Sequence, residues 1–227
     1  MMLRIAGVLD ARMLAHCRQV LADAPWVDGA VTAGGQSARA KVNLQVPEDA
    51  PQVRALQDQI LDRLGRHAMF IAAALPLRVF PPLFNRYEEG MGFSAHIDNA
   101  VRISAERGAR YRTDLSCTLF LSDPEDYEGG ELVIESPTPM PPVKLPAGDM
   151  VLYPASSVHS VAPVMRGARW SSFFWVQSMV RSSEQREILY DLDRSVSQVR
   201  AALGDEHGAA IRLTGHYHNL LRQWAEV

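Results

Sequence analysis

Residues 87–98 read Tyr87-Glu88-Glu89-Gly90-Met91-Gly92-Phe93-Ser94-Ala95-His96-Ile97-Asp98. The stretch closes on a histidine and an aspartate two positions apart. Side chains alternate faces along a strand, so on a strand His96 and Asp98 project from the same face. An imidazole beside a carboxylate is most of a metal-binding face, and one histidine from elsewhere makes a 2-His-1-carboxylate set. The rest of the chain must then supply a sheet to hold the pair and a third ligand.

The sheet is legible on both sides of this stretch. From Arg78 onward, short runs rich in Val, Phe, Leu and Tyr are separated by Gly, Pro, Asp and Asn turns. Eight strands are expected, near 78–87, 92–98, 114–122, 130–135, 142–146, 149–153, 158–164 and 169–178. That number and spacing predict a mainly β fold with flanking helices, a double-stranded β-helix or jelly-roll barrel. Glu128-Gly129-Gly130-Glu131 reads as a hairpin turn whose glycines take positive φ.

Helical periodicity appears only outside the strand region. Asp10 caps a helix carrying Leu14, Cys17, Val20 and Leu21 and ending near Pro25. Gly34-Gly35 marks a turn before an edge strand at Ser37 to Leu44. Pro51 opens a second helix with Val53, Leu56, Ile60 and Leu64 on one stripe, continuing to Ala74. After Ser182-Ser183, Ile188, Leu192, Val196, Val199 and Leu203 form another stripe, and Ile211 to Trp224 is a final helix. The expected organisation is an N-terminal support region over 1–77, the barrel over 78–178 and a helical extension over 179–227.

Composition narrows the class further. The chain has 227 residues, 47% hydrophobic, enough for one substantial core, and its formal charge of -3 gives no overall attraction to nucleic acid or anionic membrane. The two cysteines, Cys17 and Cys117, are no disulfide framework and suit a reducing cytoplasm. No apolar run approaches the length needed to span a bilayer.

His159, in Val158-His159-Ser160-Val161 after the Gly148-Asp149 turn, is the candidate third ligand. Two imidazoles and a carboxylate leave Fe(II) with open adjacent positions for a chelating 2-oxo acid and O2. Ten residues on, Arg169 opens the strand Arg169 to Val176, where a guanidinium can pair bidentately with the distal carboxylate of 2-oxoglutarate. Arg166 sits in the preceding turn and reads as solvated. Tyr87 can offer its phenol to the same carboxylate, or simply be core. His216 and His218 lack an accompanying carboxylate or cysteine cluster, and His16, His67 and His207 read as surface or helix residues.

Three segments carry a family resemblance: N-R-Y-E-E-G-M-G-F-S-A-H-I-D-N over 85–99, L-F-L-S-D-P-E-D-Y-E-G-G-E-L over 119–132, and G-D-M-V-L-Y-P-A-S-S-V-H-S-V-A-P-V-M-R-G-A-R over 148–169. Together they resemble the prolyl-4-hydroxylase-type Fe(II)/2-oxoglutarate dioxygenases, and more closely the bacterial PKHD-type hydroxylases. The likeness extends to T-A-G-G-Q-S-A-R-A-K-V-N over 32–43 and R-L-T-G-H-Y-H-N-L-L-R-Q-W over 212–224. It implies His96, Asp98 and His159 as iron ligands and Arg169 as cosubstrate anchor. It also implies Fe(2+), 2-oxoglutarate and O2 as cofactor and cosubstrates, L-ascorbate as reductant, and a link to siderophore-dependent iron uptake. The wider class often has lysine at the anchor and tyrosine three residues before H-x-D. Here those residues are Arg169 and Phe93, which leaves Tyr87 as the aromatic candidate for the cosubstrate.

The expected reaction is hydroxylation of an unidentified protein side chain or small molecule, coupled to decarboxylation of 2-oxoglutarate to succinate and CO2. The rival readings are a non-catalytic iron or 2-oxoglutarate sensor, a nucleic-acid demethylase on the same fold and, more remotely, a zinc hydrolase. A homodimer through the terminal helices is open. The connection Asn99 to Thr113, with Arg102, Arg107, Arg110 and Arg112 against Glu106, reads equally as a lid favouring an anionic substrate and as a solvated loop.

Overall fold

The computed structural model describes residues 1–32, 41–104, 108–136 and 140–227, with the side chains of 31 and 32 outside that description. The predicted Gly34-Gly35 turn and the first half of the predicted edge strand lie outside the described residues. The N-terminal third contributes strands β1 (Leu3–Ile5), β2 (Val27–Asp28), β3 (Lys41–Val42) and β4 (Leu44–Gln45), with helices α1 (Ala11–Ala22), α2 (Pro51–Arg66) and α3 (Ala68–Ala74). Then follow β5 (Pro76–Val79), β6 (Leu83–Tyr87), β7 (Gly92–His96), β8 (Val101–Ile103), β9 (Arg110–Arg112), β10 (Leu115–Phe120), β11 (Tyr127–Gly129) and β12 (Leu132–Ile134). Strands β13 (Met150–Pro154), β14 (His159–Val161), β15 (Val164–Gly167) and β16 (Arg169–Ser178) complete the β region. Helices α4 (Ser183–Leu203) and α5 (Gly208–Trp224) close the chain.

Two sheets dominate, one ordered β1-β13-β10-β16-β6-β4-β2 with β5 also on β16, the other β12-β14-β7-β3. Their named strand pairs are antiparallel, as a jelly roll requires. Alternation along β10 and β16 separates the two faces of the larger sheet. Leu115, Cys117, Leu119, Phe174 and Val176 pack outward against α1, α2 and α3 in one core. Ser116, Thr118, Arg169, Ser171, Phe173 and Trp175 line the cavity on the other face. The helices thus seal one side of the sheet and leave the other for chemistry.

Local chemistry explains the helix ends. Asp10 Oδ1 accepts from Met13 N at 2.8 Å, and Ser182 Oγ accepts from Gln185 N at 3.2 Å. The helix predicted to run unbroken to Ala74 instead breaks at His67, which has extended backbone (φ -87, ψ 104) and whose Nδ1 accepts from Phe70 N. His67 therefore starts a new helix. Leu75 ends it in the left-handed region at φ 43.

Two strand predictions and one loop reading are corrected. The run 78–87 is two strands, because Pro81-Pro82 provides no amide hydrogens for a continuous ladder. The run 142–146 is not a strand: Pro141, Pro142 and Pro146 leave only a bridge between Val143 and Leu132. Asn99 to Thr113 includes the hairpin β8–β9. Gly129 and Gly130 have the predicted positive φ, 72 and 66. They do not turn a hairpin, since β11 pairs with β15 and β12 with β14.

Candidate active site

His96 ends β7 and His159 begins β14, and the two are register partners, so their imidazoles meet with centroids 4.2 Å apart. Asp98 lies two residues past the end of β7. Its Oδ2 is 3.8 Å from His159 Nε2, and donor atoms of His96, Asp98 and His159 all lie within 4.8 Å of one another.

Hydrogen bonds fix how these groups present themselves. His96 Nδ1 is 2.9 Å from Ser94 O, and His159 Nδ1 is 3.1 Å from Ser157 O. A carbonyl only accepts, so each Nδ1 carries the hydrogen and each Nε2 keeps its lone pair for a metal. Ser116 Oγ donates to Asp98 Oδ2 at 2.6 Å, orienting the carboxylate from β10. Burial, and then the neighbouring His159, hold His96 below its ordinary pKa, favouring the neutral imidazole a metal needs. Phe93 stacks on His96 at 3.5 Å, and Tyr153 meets His159 edge-on at 5.2 Å. Two nitrogens and a carboxylate, each held from behind, suit a divalent iron.

Arg169 lies at the closed end of the same cavity, opposite Tyr87 in the β16–β6 register and only 1% exposed. Its guanidinium sits over the rings of Tyr87 and Phe120, 5.3 and 5.2 Å from their centroids. One guanidinium nitrogen donates to Ser171 Oγ at 2.8 Å, and that hydroxyl donates to Asn85 Oδ1. Its Nε is buried without a partner, and among the described residues no carboxylate lies within ion-pair distance. An enclosed cation with only neutral neighbours is costly. An anionic ligand entering the cavity removes that cost, so the pocket fits a dicarboxylate such as 2-oxoglutarate. Burial raises the Tyr87 phenol and keeps it a neutral donor.

All five candidate residues therefore line one cavity: His96, Asp98, His159, Arg169 and Tyr87. Other candidates are elsewhere. Arg166 pairs with Glu128 at the surface, Arg112 is bound to Asp114 and Ser178 O, and His216 and His218 are exposed on α5. Of the arginines described in the Asn99–Thr113 connection, only Arg102 reaches the cavity, while Glu106 and Arg107 lie outside the described residues. Sequence reasoning missed Ser116, Tyr153 and Lys41. Ser116 and Thr118 had a signal, two polar residues alternating through an otherwise apolar strand.

Comparison with known proteins agrees with this geometry. A family profile described as 2OG-Fe(II) oxygenase superfamily matches residues 82–177, and one described as PKHD-type hydroxylase C-terminal domain matches residues 184–226. A PKHD-type hydroxylase of Gluconobacter oxydans is 56% identical over 227 residues, all of both chains. The chain belongs to the PKHD-type hydroxylases. A second PKHD-type hydroxylase, from Cupriavidus metallidurans, is 54% identical over 228 residues, again all of both chains. Among solved structures, a Pseudomonas putida prolyl-4-hydroxylase is similar with a TM-score of 0.51 and 21% identity, covering 78% of this chain and 92% of that one. HygX of Streptomyces hygroscopicus, solved with nickel and 2-oxoglutarate, gives 0.53 and 19%, covering 78% and 82%. These likenesses fix the jelly-roll fold. As a PKHD-type hydroxylase, this protein is an Fe(II)- and 2-oxoglutarate-dependent dioxygenase that uses O2. Among the described residues, no helix is long and apolar enough to cross a membrane.

Proposed function

We propose that His96 Nε2, His159 Nε2 and the Asp98 carboxylate bind the iron, and that Arg169 takes the distal carboxylate of 2-oxoglutarate. The observation that carries this reading is the buried Arg169, without a carboxylate partner among the described residues, opening on the same cavity as the three donors. When bound, iron and 2-oxoglutarate supply the oxidising power for hydroxylating an unactivated C–H bond, with succinate and CO2 released. The residues of the chain bind, orient and exclude. Ser116 aims the Asp98 carboxylate, and the Ser94 and Ser157 carbonyls hold the imidazole tautomers. Tyr87 forms the face on which the Arg169 guanidinium rests, and its phenol is the further donor to the cosubstrate. The helix-backed sheet closes the inner end of the cavity against water.

The substrate is a protein side chain or a small molecule, used in iron and siderophore physiology, with ascorbate keeping the iron ferrous. A cytoplasmic setting is supported by Cys17 and Cys117, both buried thiols without a disulfide. The test is anaerobic titration with Fe(II) and 2-oxoglutarate. A metal-to-ligand charge-transfer band should grow with both, succinate should form once O2 is admitted, and both signals should fall to background in Asp98→Ala. A wild-type protein that gives no band at saturating ligand overturns the assignment.

A further inference from the structure

The cavity wall carries two more cations than the cofactor and cosubstrate use. Strand β16 runs along the cavity with Arg169, Ser171, Phe173 and Trp175 on one face. Arg169 marks its closed end. Lys41 Nζ lies 5.6 Å from the Phe173 centroid and 5.8 Å from that of Phe93, the ring stacked on His96. The Arg102 guanidinium lies 4.4 Å from the Trp175 centroid and 5.8 Å from that of Phe80. At about 3.3 Å per residue, Phe173 and Trp175 are roughly 13 and 20 Å along the strand from Arg169. A five-carbon diacid held at Arg169 does not extend to both.

Charge leads to the same place. Among the described residues, the acidic and basic side chains lining the cavity, apart from the two histidines, are Lys41, Arg102, Arg169 and Asp98. Iron(II) with Asp98 has one net positive charge, and dianionic 2-oxoglutarate together with Arg169 brings one net negative charge. That inner set is neutral, and Lys41 and Arg102 line the cavity beyond it. Lys41 is 7% exposed, and its Nζ, oriented by a 2.8 Å bond to Gln45 Oε1, is held on the cavity wall. Arg102 forms no ion pair with a described residue within 4 Å, and Glu48, which favours its charged form from outside the cavity, accepts from Ser104 Oγ at 2.5 Å. The hairpin carrying Arg102 is held in place, since Thr113 Oγ1 also donates to Asn99 O and Arg112 is paired with Asp114. Arg102 is therefore presented to the cavity by fixed structure.

Resting on the iron and 2-oxoglutarate assignment above, we infer that this hydroxylase takes a substrate bearing a carboxylate, which Lys41 and Arg102 receive on the outer side of the metal centre. Phe173 and Trp175, which stand edge to face at 5.7 Å, flank the body of the substrate. Lys41 neighbours the ring that backs His96, so a carboxylate there places carbons a few bonds away beside the metal face. Lys41 and Arg102 are specificity residues in this arrangement.

The experiment uses full-length protein, anaerobic, with Fe(II) and 2-oxoglutarate, and measures binding by calorimetry and by perturbation of the charge-transfer band. The probes are phenylacetate, its neutral counterpart phenylacetamide, and an end-blocked pentapeptide with a central glutamate. The acid should bind about 10-fold or more tighter than the amide. Lys41→Met and Arg102→Gln should each remove most of that preference while 2-oxoglutarate affinity stays within about 2-fold. Preference for the blocked peptide over phenylacetate assigns the carboxylate to a protein side chain, and the reverse assigns it to a small acid. Equal binding of acid and amide, or no binding of either acidic probe, overturns the inference alone, because 2-oxoglutarate binding is observed in the same sample. Loss of 2-oxoglutarate affinity in Lys41→Met also overturns it and moves Lys41 to the cosubstrate site. A wild-type protein that does not bind 2-oxoglutarate overturns the underlying assignment and this inference with it.

Discussion

Ser116 Oγ donates a 2.6 Å hydrogen bond to Asp98 Oδ2, tying the carboxylate that follows β7 in the smaller sheet to β10 in the larger one. The bond spans the cavity between the sheets and holds the aspartate toward His159. Groups that orient a metal ligand typically affect affinity by about 10- to 100-fold. Ser116→Ala should therefore weaken Fe(II) binding within that range and leave the fold intact. Ser116→Thr, which retains the hydroxyl, should recover most of the loss. Titration of Fe(II) in the presence of 2-oxoglutarate measures both, and equal affinity in Ser116→Ala and wild type removes Ser116 from the site.

Arg169 is a buried cation whose proposed partner is the cosubstrate, which separates stability from binding. A lone buried charge is destabilising, so Arg169→Leu should melt at or above the temperature of the ligand-free wild type. Added 2-oxoglutarate should raise the melting temperature of the wild type and not of the variant. Arg169→Lys keeps the charge but loses the planar fork. Hydrogen bonds to charged groups contribute roughly 1.5 to 3 kcal/mol, so its 2-oxoglutarate affinity should drop about 10- to 100-fold. Thermal melts with and without cosubstrate check the set, and a ligand-induced shift retained in Arg169→Leu contradicts it.

Gly129 and Gly90 both have positive φ, 72 and 81, but only Gly129 is crowded. A Cβ on Gly129 would lie 2.1 Å from Pro163 O, whereas one on Gly90 meets nothing within 4 Å. Gly90→Ala should cost about 1–2 kcal/mol, from backbone conformation alone. Gly129→Ala adds the displacement of the β14–β15 connection and should cost clearly more. Since β14 begins with His159, iron affinity should fall in Gly129→Ala and hold in Gly90→Ala. Paired denaturation and Fe(II) titration distinguish the two, and equal losses would show that contact with Pro163 is unimportant.

The parts of this site that were readable in sequence are those with a short-range rule. His96 and Asp98 stand out by their two-residue spacing, although β7 ends at His96 and Asp98 is held toward the site by Ser116, and Arg169 opens a long strand rich in aromatic residues. His159 could be proposed from its strand, but its position directly opposite His96 is a register between segments more than sixty residues apart. Lys41 had no local signal, because β3 is two residues long and is positioned by its pairing with β7, distant in sequence. Arg102 was one of four arginines in an apparent loop. Only the hairpin register, which pairs it with Tyr111, separates it from Arg110 and Arg112. Prolines decided the misread segments, since 78–87 and 142–146 have strand-like side chains on a backbone short of amide hydrogens.

The Lys41 ammonium gives the pocket a pH signature. Burial, and then the charge of Arg102, lower its pKa from 10.5 to about 8. Below about pH 8 the side chain is protonated and attracts a carboxylate, and above it the amine is neutral. Phenylacetate affinity should therefore be highest at pH 6.5–7.5 and fall as pH rises through about 8, toward the affinity of Lys41→Met. A bound carboxylate favours the charged form, so the midpoint should move upward at saturating probe. Arg102 stays charged throughout, because a guanidinium does not deprotonate in this range, and it accounts for the residual preference at high pH. Phenylacetamide binding should not follow this curve, and the Lys41→Met curve should be flat across the same window. Calorimetry at pH values on both sides of 8 checks the prediction, and a wild-type profile as flat as that of Lys41→Met would assign the recognition to Arg102 alone.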